Sequence, residues 1–173
     1  MLEFALLTGV RAHPGSHLYR EGKKIPQLGL VSVVVTGDKH YFLCLQASCD
    51  SVRLTKTSAF LFIPLANSNE TPEVVVPVVG RGGAVHCIGL SSPTTAYAES
   101  RSIRFRPAAA SRSVIAAKVP RRRGLFFCAA DGTHYKWVAD LKQRRALRAA
   151  QKLGQSLGRL GFDEFEPFRQ SND

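Results

Sequence analysis

Residues 31–46 read VSVVVTGDKHYFLCLQ. Val31–Thr36 is β-branched and apolar, and Tyr41–Gln46 is aromatic and aliphatic. Between them stands Gly37-Asp38-Lys39, which is turn chemistry. Two strand-like runs joined by a short turn predict a β-hairpin. The same texture continues toward the C-terminus. Ala59–Leu65 and Val74–Val79 predict two more strands, and Gly80-Arg81-Gly82-Gly83 turns into another, Ala84–Leu90. Pro64 and Pro77 belong at strand ends or sheet edges, because proline cannot donate to a central ladder. Ser91–Ser100 reads as a loop. Ile103–Arg106, Ser113–Val119 and Leu125–Ala129 are shorter strand candidates.

Upstream of the hairpin, residues 11–29 mix Pro14, Gly15, Gly22, Pro26 and Gly29 with charges, which predicts loop. Downstream of Asp131-Gly132 the spacing changes. Trp137, Leu141, Leu147, Ala150, Leu153, Leu157 and Leu160 recur at helical intervals. This predicts a basic amphipathic helix over 133–161, capped at its start by Asp131 or Thr133 and ended at Gly161. Residues 162–173 form an acidic and aromatic tail. The chain therefore reads as a single mainly-β (α+β) domain over 1–173. The loop-rich 1–29 leads into a β-barrel or sandwich over 30–129. The fold expected is a small antiparallel barrel or sandwich of about seven strands with one long C-terminal α-helix, antiparallel because the connections are too short for crossovers.

Charge is distributed unevenly. Residues 1–100 hold 8 Lys/Arg against 7 Asp/Glu, a net of +1, whereas residues 101–173 hold 16 against 6, a net of +10. A neutral half joined to a basic half predicts a surface that meets polyanions. In Ile103–Arg106 the arginines alternate with apolar residues, so Arg104 and Arg106 share the solvent face of a strand. Arg121, Arg122 and Arg123 precede the last strand, and Arg144, Arg148 and Lys152 line the polar face of the helix. If helix and strand pack side by side, these eight residues form one binding face for phosphates, which guanidinium groups suit. Tyr135 and Trp137 stand close enough in sequence to stack on bases, or else belong to the core. The partners this implies are nucleic acid, RNA or DNA, or an acidic protein.

A second constellation is Cys49-Asp50-Ser-Val-Arg53, where a strand ends. A thiolate stabilised by Arg53, or Asp50 acting as a base, would make a catalytic centre of Cys49, Asp50 and Arg53. A turn in which Asp50 caps backbone N–H groups is the structural alternative. Residues 41–65 and 158–169 resemble segments of bacterial proteins in which a strand runs into a Cys-Asp pair. That resemblance implies a place in stress, signalling or phage-defence systems and no assigned activity. The strand–turn–strand layout over 31–46, 59–65 and 74–79 is also similar to the MazF/PemK-type toxin ribonucleases, which implies a small barrel that cleaves RNA. The chain lacks that family's early Gly-Asp and Arg-Pro signature, its Gly37-Asp38 standing in the hairpin turn.

Other patterns carry less. Cys44, Cys49, Cys87 and Cys128 form no C-x-x-C pair, and three of them lie in apolar runs, which predicts reduced thiols and a cytoplasmic protein. His13 and His17 are four apart, but Pro14 and Gly15 break the helix that a shared metal would need. No metal or cofactor is expected, and no apolar run reaches the ~18 residues of a membrane span. The functional expectation is a nucleic-acid- or polyanion-binding module. A ribonuclease, or a non-enzymatic adaptor using helix and tail, are the alternatives.

Overall fold

The computed structural model describes residues 9–14, 16, 24–37, 39–68, 72–79, 84–93 and 99–163, with side chains for all of these but 48, 49, 79, 153 and 156–163. The expected turn at 80–83, His17 and the tail beyond 163 lie outside the described residues. Among the described residues ten strands and two helices follow one another. The strands are β1 (Val10–Ala12), β2 (Ser32–Val35), β3 (Tyr41–Cys44), β4 (Ser58–Asn67), β5 (Val74–Val79), β6 (Val85–Ser91), β7 (Arg101–Phe105), β8 (Ala117–Lys118), β9 (Leu125–Cys128) and β10 (His134–Leu141). One-turn helix α1 (Ser48–Ser51) follows β3, and α2 (Gln143–Asp163) follows β10.

The strands form one antiparallel sheet in the order β5-β6-β4-β3-β2-β10-β9-β8, with β1 on β10 and β7 on β4. The hairpin of residues 31–46 is its centre, with Val33 opposite Leu43 and Val35 opposite Tyr41. Strand twist curls the sheet into a half-barrel. β7 and the segment after β9 approach each other through the Phe105–Ala129 bridge and the Ala130 N–H donating to the Arg104 carbonyl at 2.7 Å.

Both faces of the central strands are buried, which explains their near-continuous apolar runs. Phe42, Phe60, Phe62, Phe105, Tyr135 and Trp137 fill the concave side. Phe60 meets Phe105 edge-on at 5.6 Å between ring centroids, and Phe62 stacks with Tyr135 at 6.1 Å. Each such ring, fully buried, contributes roughly 1.5–3 kcal/mol. The convex side carries a second core, with Val33, Leu43, Ile63 and Leu141 under Val74, Val76 and Leu90 of the β5–β6 hairpin. Gly89 permits this overlay: a Cβ there would stand 2.4 Å from the Ser68 carbonyl oxygen and 2.8 Å from Pro72.

Three expectations are corrected. The strands number ten rather than seven among the described residues, and one of them, β1, lies in the segment expected to be loop. The helix runs from Gln143 to Asp163 rather than over 133–161, so it begins later and continues past Gly161, its expected end. Residues 134–141 are instead a central strand paired to β9 and β2. A register shift between Trp137 and Ala139 interrupts its alternation. Trp137 therefore enters the concave core while Leu141 enters the convex one, and their spacing of four only imitates a helix. Asp131 caps a hairpin turn rather than a helix: its carboxylate accepts the Thr133 N–H at 2.8 Å, and Gly132 takes φ 87° beside it. That bond, first among the causes, holds the Asp131 carboxyl below the usual range.

Helix α2 docks through Ala146, which is fully buried, and Ala149, which packs on the convex core, while Leu147 is 44% exposed. Lys152 pairs with Glu73, whose other oxygen accepts the Ser92 N–H at 3.0 Å. Among the described residues no helix is long and apolar enough to cross a membrane.

Candidate nucleic-acid interface

The basic residues divide into two groups. Arg144 and Arg148 are exposed on α2, whose described contacts are with the convex core and Glu73. The expected packing of α2 beside β7 is not among them. Arg104 and Arg106 are exposed at the end of β7, on the solvent face that their alternation with Ile103 and Phe105 predicted. At that end of β7 other cations join them.

Two open clefts meet on this rim. The first, about 580 Å³, is lined by Leu54–Thr57, Arg106–Ala109 and Arg112. It gathers Lys56, Arg106 and Arg112 with the hydroxyls of Thr55 and Thr57. The second, about 440 Å³, shares the wall Arg106–Ala108 and runs to Ile115, Ala117, Phe126 and Cys128. The Arg122 guanidinium carbon lies 5.9 Å from the ring centroid of Phe126, which lines this second cleft. Among the described residues no carboxylate lines either cleft. Packing positive groups together without counter-charge disfavours the empty state and favours an anion.

Local backbone builds this cluster. Residues 108–113 fold into a tight turn, with the Arg112 N–H donating to the Ala108 carbonyl at 2.9 Å and the Ala108 N–H donating to the Ser113 carbonyl at 2.9 Å. The Arg112 carbonyl accepts the Leu54 N–H at 2.8 Å, which ties the Arg53–Lys56 segment to the turn. Arg112 has φ 50° and Arg121 φ 61°. Both occupy the left-handed region, where a side chain costs roughly 1–2 kcal/mol. Glycine or asparagine is the easier choice at such turns, and at both of these places the chain carries arginine.

Of the eight residues expected to bind, only Arg106 lines the clefts, with Arg104 two residues before it on β7 and Arg122 near the Phe126 ring. Arg121 and Arg123 are exposed next to Arg122. Arg144 and Arg148 stand apart on α2, and Lys152 is joined to Glu73. Sequence reasoning missed Lys56 and Arg112. The left-handed turn at Arg112 has no signal in the sequence, and Lys56 reaches the site only because β4 pairs with β7. Tyr135 and Trp137 are core residues, 8% and 0% exposed, and cannot stack on bases.

The Cys49–Arg53 segment forms α1 and its exit. Asp50 and Arg53 are exposed, Ser51 is buried, and the Cys49 side chain lies outside the described residues. Of these, Arg53 is placed next to the first cleft through Leu54. Cys44, fully buried, has its thiol pushed up to about 12 by burial, with the Gln46 backbone bond opposing; it is a core residue. Cys128, though it lies in an apolar run, is exposed at the second cleft.

A separate polar cluster is structural. Buried Asp140 accepts the Trp137 Nε1–H at 3.1 Å and an Arg11 N–H at 3.4 Å. The Ser32 hydroxyl lies 3.2 Å from both Asp140 and the Gln27 carbonyl, and it accepts the Gly29 N–H at 3.3 Å. This clamps β1, β2 and β10 together. Among the described residues no group of three His, Cys, Asp or Glu side chains is placed to hold a metal.

Fold and rim define a mainly-β half-barrel with a basic, doubly cleft rim. Comparison with protein-family models, curated proteins and solved structures finds no match to this chain.

Proposed function

We propose that the protein is a nucleic-acid-binding module that holds the phosphate backbone on its rim through Lys56, Arg106, Arg112 and Arg122. The observation that carries this reading is the convergence of three cations on one cleft without a lining carboxylate among the described residues. The net charge of +11 supports it, because a positive field concentrates polyanions near the surface. Arginine at the left-handed position 112, which lines that cleft, supports it further, since backbone strain is retained most often where it serves a site.

The test is binding of labelled RNA and duplex DNA across a salt series. Four phosphate contacts give a log–log salt slope of about −2.8 for a single strand and about −3.6 for a duplex. Replacing Lys56 and Arg106 by glutamine should lower the slope by about 1.4 to 1.8. Replacing Arg144 and Arg148 on α2 should leave it unchanged. No binding at low salt, or loss confined to the α2 variant, would sink the proposal. Inspecting the same RNA for cleavage, with Asp50→Asn and Arg53→Gln as controls, reads out the ribonuclease alternative.

A further inference from the structure

We infer that the two clefts together form one nucleotide subsite, with a phosphate over Lys56, Arg106 and Arg112 and an unpaired base in the second cleft. The inference rests on the nucleic-acid reading above and gives it a ligand chemistry, a phosphorylated nucleoside whose base is not engaged in a duplex.

The clefts differ in character and share a wall. The first is cationic and hydroxyl-bearing. The second is walled by Pro107, Ile115, Ala117 and Phe126, and its lining holds no charged side chain except the shared Arg106. Ile115 is 38% exposed, so the apolar wall is open to solvent. The Arg122 guanidinium carbon, 5.9 Å from the Phe126 ring centroid, adds a second positive charge near that wall. A planar base gains from an apolar wall flanked by guanidinium groups, and its phosphate gains from the adjacent cations. Arg106 faces both clefts, so one ligand carrying both chemistries fits the pair better than two separate ligands. Volumes of about 580 and 440 Å³ lie within the range of small-molecule sites, roughly 300–1,000 Å³. A paired base cannot turn into the cleft, because its edge and both faces are occupied within the duplex.

Ala117→Phe tests this. Ala117 is exposed on β8 and lines the second cleft, so the larger ring fills the cleft without altering charge. Affinity for a single-stranded oligonucleotide should fall about tenfold, inside the roughly 5- to 150-fold that stacking of one base contributes. Affinity for a duplex of equal length should not change, which also reports that the variant is folded. In the unsubstituted protein the single strand should slow alkylation of Cys128, read by peptide mass, because that thiol lines the same cleft. A nucleoside monophosphate that protects Cys128 as well would identify a free nucleotide as a source of the ligand; protection by the oligonucleotide alone would identify a strand. Unchanged single-strand affinity in Ala117→Phe together with unprotected Cys128 would overturn the subsite while leaving charge-dependent binding in place. Absence of all binding at low salt would remove the underlying reading instead.

Discussion

Arg112→Gly separates what the fold needs at the rim from what the rim is for. The backbone at Arg112 is left-handed, φ 50°, and its N–H and carbonyl both bond to neighbouring segments, at 2.9 and 2.8 Å. Glycine keeps those bonds and removes the clash of Cβ with the following carbonyl, worth roughly 1–2 kcal/mol. It also frees the unfolded chain, which returns roughly 0.5–1 kcal/mol. The side chain is exposed, so little packing is lost. The net expectation is a gain of about 0–1.5 kcal/mol, or a Tm up to about 6 °C higher for a chain of this size. Binding should move the other way. Losing one phosphate contact lowers the salt slope by about 0.7 for a single strand or 0.9 for a duplex, which at 0.1 M salt is roughly a five- to eightfold loss relative to the 1 M limit. Thermal unfolding and a salt-series binding assay on the same preparation measure both. Arg112→Lys should keep most of the affinity and none of the stability gain. A loss of more than 1 kcal/mol on changing to glycine, or an unchanged salt slope, would refute the argument that this position holds arginine for its charge.

Other expectations concern the scaffold. Asp140→Ala leaves the buried Trp137 indole N–H without its acceptor and should cost about 2–3 kcal/mol in urea unfolding. Asp140→Asn keeps a carbonyl oxygen there and should cost about 1 kcal/mol. Gly89→Ala forces a methyl toward the Ser68 carbonyl and should lose about 1–3 kcal/mol, with Tm falling accordingly. Stability should also fall in alkali. The Cys44 thiol is raised to about 12 in the folded state, so its contribution is complete below the unfolded value near 9 and is lost as pH climbs toward 12. The slope approaches about 1.4 kcal/mol per pH unit above 9. Cys44→Ala should flatten that slope between pH 9 and 10, leaving a later decline from Tyr41 and Tyr135, whose hydroxyls burial also raises. An unfolding free energy equally steep with and without the thiol would contradict this.

Much of the β architecture was legible. The hairpin of 31–46, the runs at 59–65, 74–79 and 84–90, and the alternation at 103–106 all form strands close to the expected limits. The β10 segment was not legible, because two effects conceal it. Burial on both faces removes the polar alternation, and the bulge at Trp137 shifts the remainder into apparent helical spacing. The helix face was misread for a related reason. Small Ala146 and Ala149 make the contact, where the larger Leu147 dominates the visible pattern. At the rim, the sequence marked Arg106 through strand alternation and Arg122 through a basic run, but could not distinguish them from Arg144 and Arg148, which carry the same charge on α2.

By itself the sequence determined that this chain makes antiparallel β structure with a helix after it, and that its positive charge lies in the second part. Those properties depend on neighbours a few residues away, through strand period, turn chemistry and proline placement. Only the tertiary structure decided which cations stand around one cleft. Lys56, Arg106 and Arg112 come from three separate places in the chain. They converge because β4 pairs with β7 and because the Arg112 carbonyl holds Leu54. The physical reason is that local rules fix how a residue faces its own strand, whereas the curl of the whole sheet fixes which distant residues share a cleft.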